Sequence, residues 1–127
     1  MLKGVLVKKA HDIQKRTFEF ACRIVKLYSY LNQRGGAARI LAPQLLRSGT
    51  SIGANLEEAN SGQSKADFVS KCSIAAKEAR ETNYWLRLFL ACEFASETSL
   101  ASLIAESNEL VSILTAIIRN AARSTQR

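Results

Sequence analysis

At 127 residues and 14.0 kDa, with 47% apolar and 23% charged residues, the chain has the size and composition of one globular domain. Six glycines and a single proline are too few for the turns of a sandwich or barrel of short strands, which leaves helices as the default. Eighteen Lys and Arg against eleven Asp and Glu give +7, a balance that favours polyanionic partners without naming one.

Asp12 is a good N-cap, and after it Ile13, Thr17, Phe20, Ala21, Ile24, Leu27, Tyr28 and Leu31 recur mostly at steps of three and four. This predicts a first helix over 12–33, preceded by a short extension and ended by Gly35-Gly36, which supply left-handed conformations. The lone proline, Pro43, suits a first helical turn, so the second helix is placed at 43–60 with Leu45, Ser48, Ile52, Leu56 and Ala59 inward. A turn around Ser61 and Gly62 leads to Ser64, which with Asp67 resembles a capping box. The third helix, 65–92, carries Phe68, Cys72, Ala75, Ala79, Thr82, Leu86 and Phe89 in the alternating steps of bundle packing. Ser96 caps a fourth, 97–122, with Leu100, Leu103, Ile104, Leu110, Val111, Leu114, Ile117 and Ile118. Short connections between long helices give an all-α, antiparallel up-down-up-down four-helix bundle as a single domain.

No run approaches about eighteen consecutive apolar residues, and Val5-Leu6-Val7 is shorter than a signal-peptide core, so a cytoplasmic chain without a membrane partner is expected. Cys22, Cys72 and Cys92 are odd in number and far apart, and His11 is the only histidine. Neither a disulfide framework nor a zinc site can be assembled from them, and all three are read as reduced core thiols. No metal or cofactor is expected.

Gln44, Ser48, Ser51, Asn55 and Glu58 form a polar stripe on the second helix, and Lys77, Glu78, Glu81 and Tyr84 form its counterpart on the third. With equal rise per residue and a turn near Gly62, antiparallel neighbours have numbers summing to roughly 124. Arg47 is then level with Glu78, and Gln44 with Glu81. An interhelical polar network of Gln44, Arg47, Ser51, Asn55, Glu78 and Glu81 is expected, its main reading an ion-pair register lock and its lesser one a carboxylate base. No cysteine or serine is paired with a plausible base, so an enzyme is not expected. Gly49 and Gly53 permit close helix approach, and Trp85, Leu88, Phe89 and Leu90 give the third helix an apolar surface wide enough to touch a second protomer as well. One end of the bundle collects Lys3, Lys8, Lys9, Lys15, Arg16, Lys65, Arg119, Arg123 and Arg127 against Asp12, Glu57, Glu58 and Asp67. Of these, Lys8, Lys9, Lys15, Arg16, Lys65, Arg119 and Arg123 are the candidate nucleic-acid contacts. The competing reading is a protein-interaction scaffold whose charge only aids solubility.

The segments RSGTSIGANLEEA (47–59), SKADF (64–68) and AAKEARETNYWLRL (75–88), with FEFACRIVKLYSYL (18–31), closely resemble the bacterial 23S ribosomal RNA intervening-sequence proteins. The matching positions include Gln44, Arg47, Ser48, Ser51, Ile52, Asn55, Glu58, Phe68, Lys77, Glu78, Glu81, Thr82, Tyr84, Trp85 and Leu86. The resemblance implies a four-helix bundle that assembles into a homopentamer, with no enzymatic activity, no cofactor and an unassigned cellular role. The family also looks like the accessory proteins of diversity-generating retroelements, which bind nucleic acid and a reverse transcriptase; a basic ring that binds RNA or DNA is the analogy's implication. At Cys72 this chain departs from the pattern, which commonly has a bulkier apolar residue there.

Overall fold

The computed structural model describes residues 2–61 and 64–125, with side chains over 12–61 and 64–123. Four helices follow in order: α1 (Leu2–Arg34), α2 (Gly36–Asn60), α3 (Lys65–Ala91) and α4 (Glu97–Thr125). Consecutive helices pack extensively, whereas α1 and α4 approach each other at few places. Gly49 lies against Ile24 and Gly53 against Thr17, so α1 and α2 run in opposite directions. Arg16 pairs with Glu106 and Arg23 with Ser102, which sets α1 against α4 in the same sense. The antiparallel four-helix bundle expected from the periodicity is the observed fold.

One buried stripe per helix makes the core. Ile13, Phe20, Ile24, Leu27 and Leu31 of α1 meet Leu45, Ile52 and Leu56 of α2, with Leu86 and Phe89 of α3 and Leu100, Leu110 and Leu114 of α4 completing it. Each such side chain contributes about 1.5–3 kcal/mol by leaving water. Thr17 sits in this stripe with its hydroxyl satisfied by the Ile13 carbonyl at 2.9 Å. α4 is long and apolar enough by composition to cross a membrane, yet Leu100, Leu103, Leu110 and Leu114 are turned into the protein core.

Two helix starts differ from the sequence expectation. α1 begins at Leu2, so Asp12 lies inside the helix instead of capping it. The segment upstream has no proline and only Gly4 to weaken it, so nothing stops the helix from propagating. α2 begins at Gly36, and Pro43 is inside it rather than at its first turn. Ala38 and Ala42 are buried at 2% and 0% exposure, so packing holds the preceding turns helical although Pro43 offers no N–H to the Arg39 carbonyl. Only Gly35 separates the first two helices, with φ of +79° there and +61° at Gly36. A side chain at either would be strained.

The other ends follow local chemistry. Ser64, extended at φ −143° and ψ 163°, accepts the Asp67 N–H on Oγ at 3.1 Å and starts α3. Ser96 accepts the Ser99 N–H on Oγ at 3.3 Å at the start of α4. α3 closes in a Schellman motif: Phe94 N–H donates to Phe89 O at 3.0 Å and Glu93 N–H to Leu90 O at 3.1 Å. The rings of Phe89 and Phe94 pack 5.5 Å apart across it. Glu93, not glycine, takes the left-handed position at φ 57°, which is why no sequence signal marked this turn.

The thiols are not alike. Cys72 is fully buried, while Cys22 and Cys92 are exposed, correcting the expectation of three core thiols. Cys22 falls on the outer side of α1 and Cys92 at the C-cap of α3, where the helix leaves the core. The expected turn at Gly62 and the side chains of Lys3, Lys8, Lys9, His11 and Arg127 lie outside the described residues.

Candidate functional site

The polar stripes of α2 and α3 converge on Arg47. Its Nη1 donates to Glu78 Oε2 at 3.0 Å and its Nη2 to Glu81 Oε2, so one guanidinium spans two carboxylates one turn apart on the facing helix. Trp85 Nε1 donates to the same Glu81 oxygen at 3.1 Å. Glu78 is almost buried and Arg47 half exposed, with side-chain exposures of 10% and 50%. Partial burial pushes the Glu81 carboxyl upward, but the Trp85 N–H and the Arg47 guanidinium outweigh it and hold it below the usual range. The Arg47 guanidinium is pushed up in turn, first by its bond to Glu81. A carboxylate held this way is a poor proton acceptor, which weighs against a base at Glu81.

The remaining network candidates behave differently. Ser51 Oγ donates to the Arg47 carbonyl at 2.6 Å and Asn55 Nδ2 to the Ser51 carbonyl at 2.8 Å. Both bonds stay inside α2. Short polar side chains on a helix surface reach the carbonyl one turn back more easily than a neighbouring helix. Gln44 is exposed and makes no side-chain hydrogen bond among the described residues. It therefore does not join Glu81, whose Oε2 accepts instead from Arg47 and Trp85.

Beside this cluster the α2–α3 seam holds a second polar contact in its dry part. Ser48 and Thr82 are fully buried, and Thr82 Oγ1 lies 2.9 Å from Ser48 Oγ. A third link, not anticipated from the sequence, joins α3 to α4: Asn83 Nδ2 donates to Ser107 Oγ at 2.9 Å and to Asn108 Oδ1 at 3.1 Å. Ser107 fills the gap between Leu103 and Leu110 in the α4 stripe, a position whose spacing alone marks it as inward-facing.

Among the basic candidates, Arg16 is engaged. Its Nε and Nη2 donate to the two oxygens of Glu106 at 3.0 and 2.6 Å, a bidentate bridge from α1 to α4. That bond is the main reason the Arg16 guanidinium is held more strongly protonated. Lys15, Arg119 and Arg123 are exposed and form no ion pair among the described residues; Lys65 is exposed at the start of α3. Arg16 also lines a cleft with Ile113, Ala116, Ile117 and Asn120, which brings the basic residues of α1 toward the level of Arg119 and Arg123 on α4 as one basic band.

These features define an antiparallel four-helix bundle whose helix seams are held by polar contacts and whose net charge is basic. The chain belongs to the 23S rRNA-intervening sequence protein family, whose pattern it matches over residues 9–116. It is similar to a crystal structure of a protein of unknown function from the S23 ribosomal protein family of Bacteroides thetaiotaomicron. The two chains share 42% identity with a TM-score of 0.81, over 87% of this chain and 98% of that one. No functionally curated protein matches it.

Proposed function

We propose that the protein is a non-catalytic homo-oligomer, a pentamer by family resemblance, that binds RNA or DNA through its basic band. The observation that carries this reading is how the charges are distributed. Glu78, Glu81 and Glu106 are taken up by Arg47 and Arg16, whereas Lys15, Arg119 and Arg123 are left exposed and without an ion pair among the described residues. The other eight carboxylates are exposed as well, so what supports the reading is the net charge of +7 together with the exposed Lys15, Arg119 and Arg123, which are available to phosphates. Exposed Phe18, Val25 and Ile40, at 65%, 45% and 76%, supply apolar surface that a second protomer would cover.

The test is size exclusion with light scattering, run with a mixed RNA and DNA pool at low and high salt. A particle several times 14.0 kDa that takes up nucleic acid at low salt, releases it at high salt, and loses it in a K15E/R119E/R123E variant supports the proposal. A monomer, or uptake indifferent to salt and to charge reversal, overturns it.

A further inference from the structure

The least-packed seam of the bundle, between α1 and α4, is bridged by side chains. Arg16 reaches Glu106 and Arg23 Nη2 donates to Ser102 Oγ at 2.6 Å, while beyond the start of α4 Arg34 Nη1 donates to the Glu93 carbonyl of the α3–α4 turn at 2.7 Å. Beside the Arg23 bridge, toward the α3–α4 turn, the helices leave a cavity of about 460 Å³, within the range of about 300–1,000 Å³ typical of small-molecule sites.

Its lining has a definite chemistry. Leu27 and Leu103, both buried, form an apolar floor. Tyr30, 53% exposed, forms a wall, and no other aromatic ring stacks on it among the described residues. Arg23 and Lys26 stand at the rim with the Ser99 hydroxyl, and no carboxylate is in the lining. The bond to Ser102 uses one of the five N–H donors of Arg23 and fixes the guanidinium, leaving other donors free. Two cations without a counter-ion call for an anion, and an open aromatic face above an apolar floor calls for a flat ring.

We propose that this α1–α4 cleft binds a nucleoside phosphate, with the phosphate between Arg23 and Lys26 and the base against Tyr30. The ligand is either a free nucleotide or the phosphorylated end of a strand. The site lies about 24 Å along α4 from Arg119, so it does not depend on the basic band.

Calorimetric titration of the full chain with adenosine 5′-monophosphate, adenosine and inorganic phosphate tests the proposal. The monophosphate is expected to bind about tenfold or more tightly than either fragment. R23Q/K26Q should cost about tenfold in its affinity, and Y30A should reduce it to that of inorganic phosphate. R119E/R123E should leave it unchanged even where strand binding is lost, which separates this site from the basic band. Competition by a 5′-phosphorylated but not a 5′-hydroxyl oligonucleotide identifies a strand end as the source; competition by neither identifies the free nucleotide. Circular dichroism of each variant checks that the helices persist. No heat at millimolar nucleotide, equal affinity for adenosine and its monophosphate, or a folded R23Q/K26Q variant with undiminished affinity overturns the proposal.

Discussion

Thr82 and Ser48 touch through their hydroxyl oxygens, 2.9 Å apart, in a part of the α2–α3 seam that no water reaches. The single Thr82 proton has two acceptors, Ser48 Oγ and the Glu78 carbonyl at 2.8 Å, while Ser48 can turn its own toward the Leu45 carbonyl at 3.4 Å. Replacing Thr82 with Val keeps the shape but leaves Ser48 with only that long bond, at an expected cost of about 1–2 kcal/mol. The S48A/T82V double variant removes both polar groups and is expected to recover part of that loss. Urea unfolding of the two singles and the double gives the coupling, and strictly additive losses would show that the hydroxyls act independently.

Arg47 and Glu81 make part of the stability pH-dependent. The folded-state pKa of Glu81 is lowered, so the contribution is full above the ordinary carboxylate value of about 4.3 and lost as pH falls through the lower folded value. Because Arg47 is half exposed, solvent screening limits the effect to about 1 kcal/mol. The wild type should exceed E81Q in urea unfolding at neutral pH, and the gap should close in acid. A gap that persists at low pH would mean that packing, not charge, is what E81Q removes.

Gly49 is set by contact with α1. A Cβ there would lie 2.8 Å from Ile24 Cγ2 and 2.9 Å from Cγ1, and Ile24 is fully buried. Overpacking of about 1–3 kcal/mol outweighs the gain of about 1 kcal/mol from replacing a helical glycine. G49A should therefore lower the melting temperature, and because I24A removes both γ carbons, the I24A/G49A double variant should lose less than the sum of the two singles. At Gly53 the nearest atom is Thr17 Oγ1 at 3.2 Å, so G53A is expected to cost less.

Pro43 interrupts α2 on its exposed side. Alanine would return the N–H that the Arg39 carbonyl lacks and relieve the ring, a gain of about 1–3 kcal/mol. Thermal unfolding of P43A should move upward; an unchanged or lower midpoint would show that the proline fits a local bend in the helix.

Burial alone pushes the Cys72 thiol up to about 11. Its thiolate fraction at neutral pH is then on the order of 10⁻⁴, and the thiolate is the reactive form. Iodoacetamide should label Cys22 and Cys92 in the native protein, and Cys72 only after denaturant, as read by mass spectrometry of the peptides. Labelling of native Cys72 at the rate of the other two would show that α3 opens readily at this level.

Much of the architecture is legible because it rests on local rules. Thr17, Ser48, Cys72, Thr82 and Leu114 are recognised as inward by spacing, and Ser64 and Gly35-Gly36 mark a start and a stop by their own chemistry. The Arg47–Glu78 pair is anticipated by constant rise per residue on two antiparallel helices. What tertiary structure alone decided depends on which neighbour covers a surface. Burial of Ala38 and Ala42 overrides the proline signal at the start of α2. Packing of Phe94 on Phe89 supports a left-handed Glu93 that carries no turn signature. The departure of α1 from α4 sets exposed Arg23, Lys26 and Tyr30 around a cavity instead of in a closed seam. Periodicity assigns a residue to a face of its helix; the distance between helices is a balance of burial, bridging and volume across the whole bundle, and it is written in no single segment.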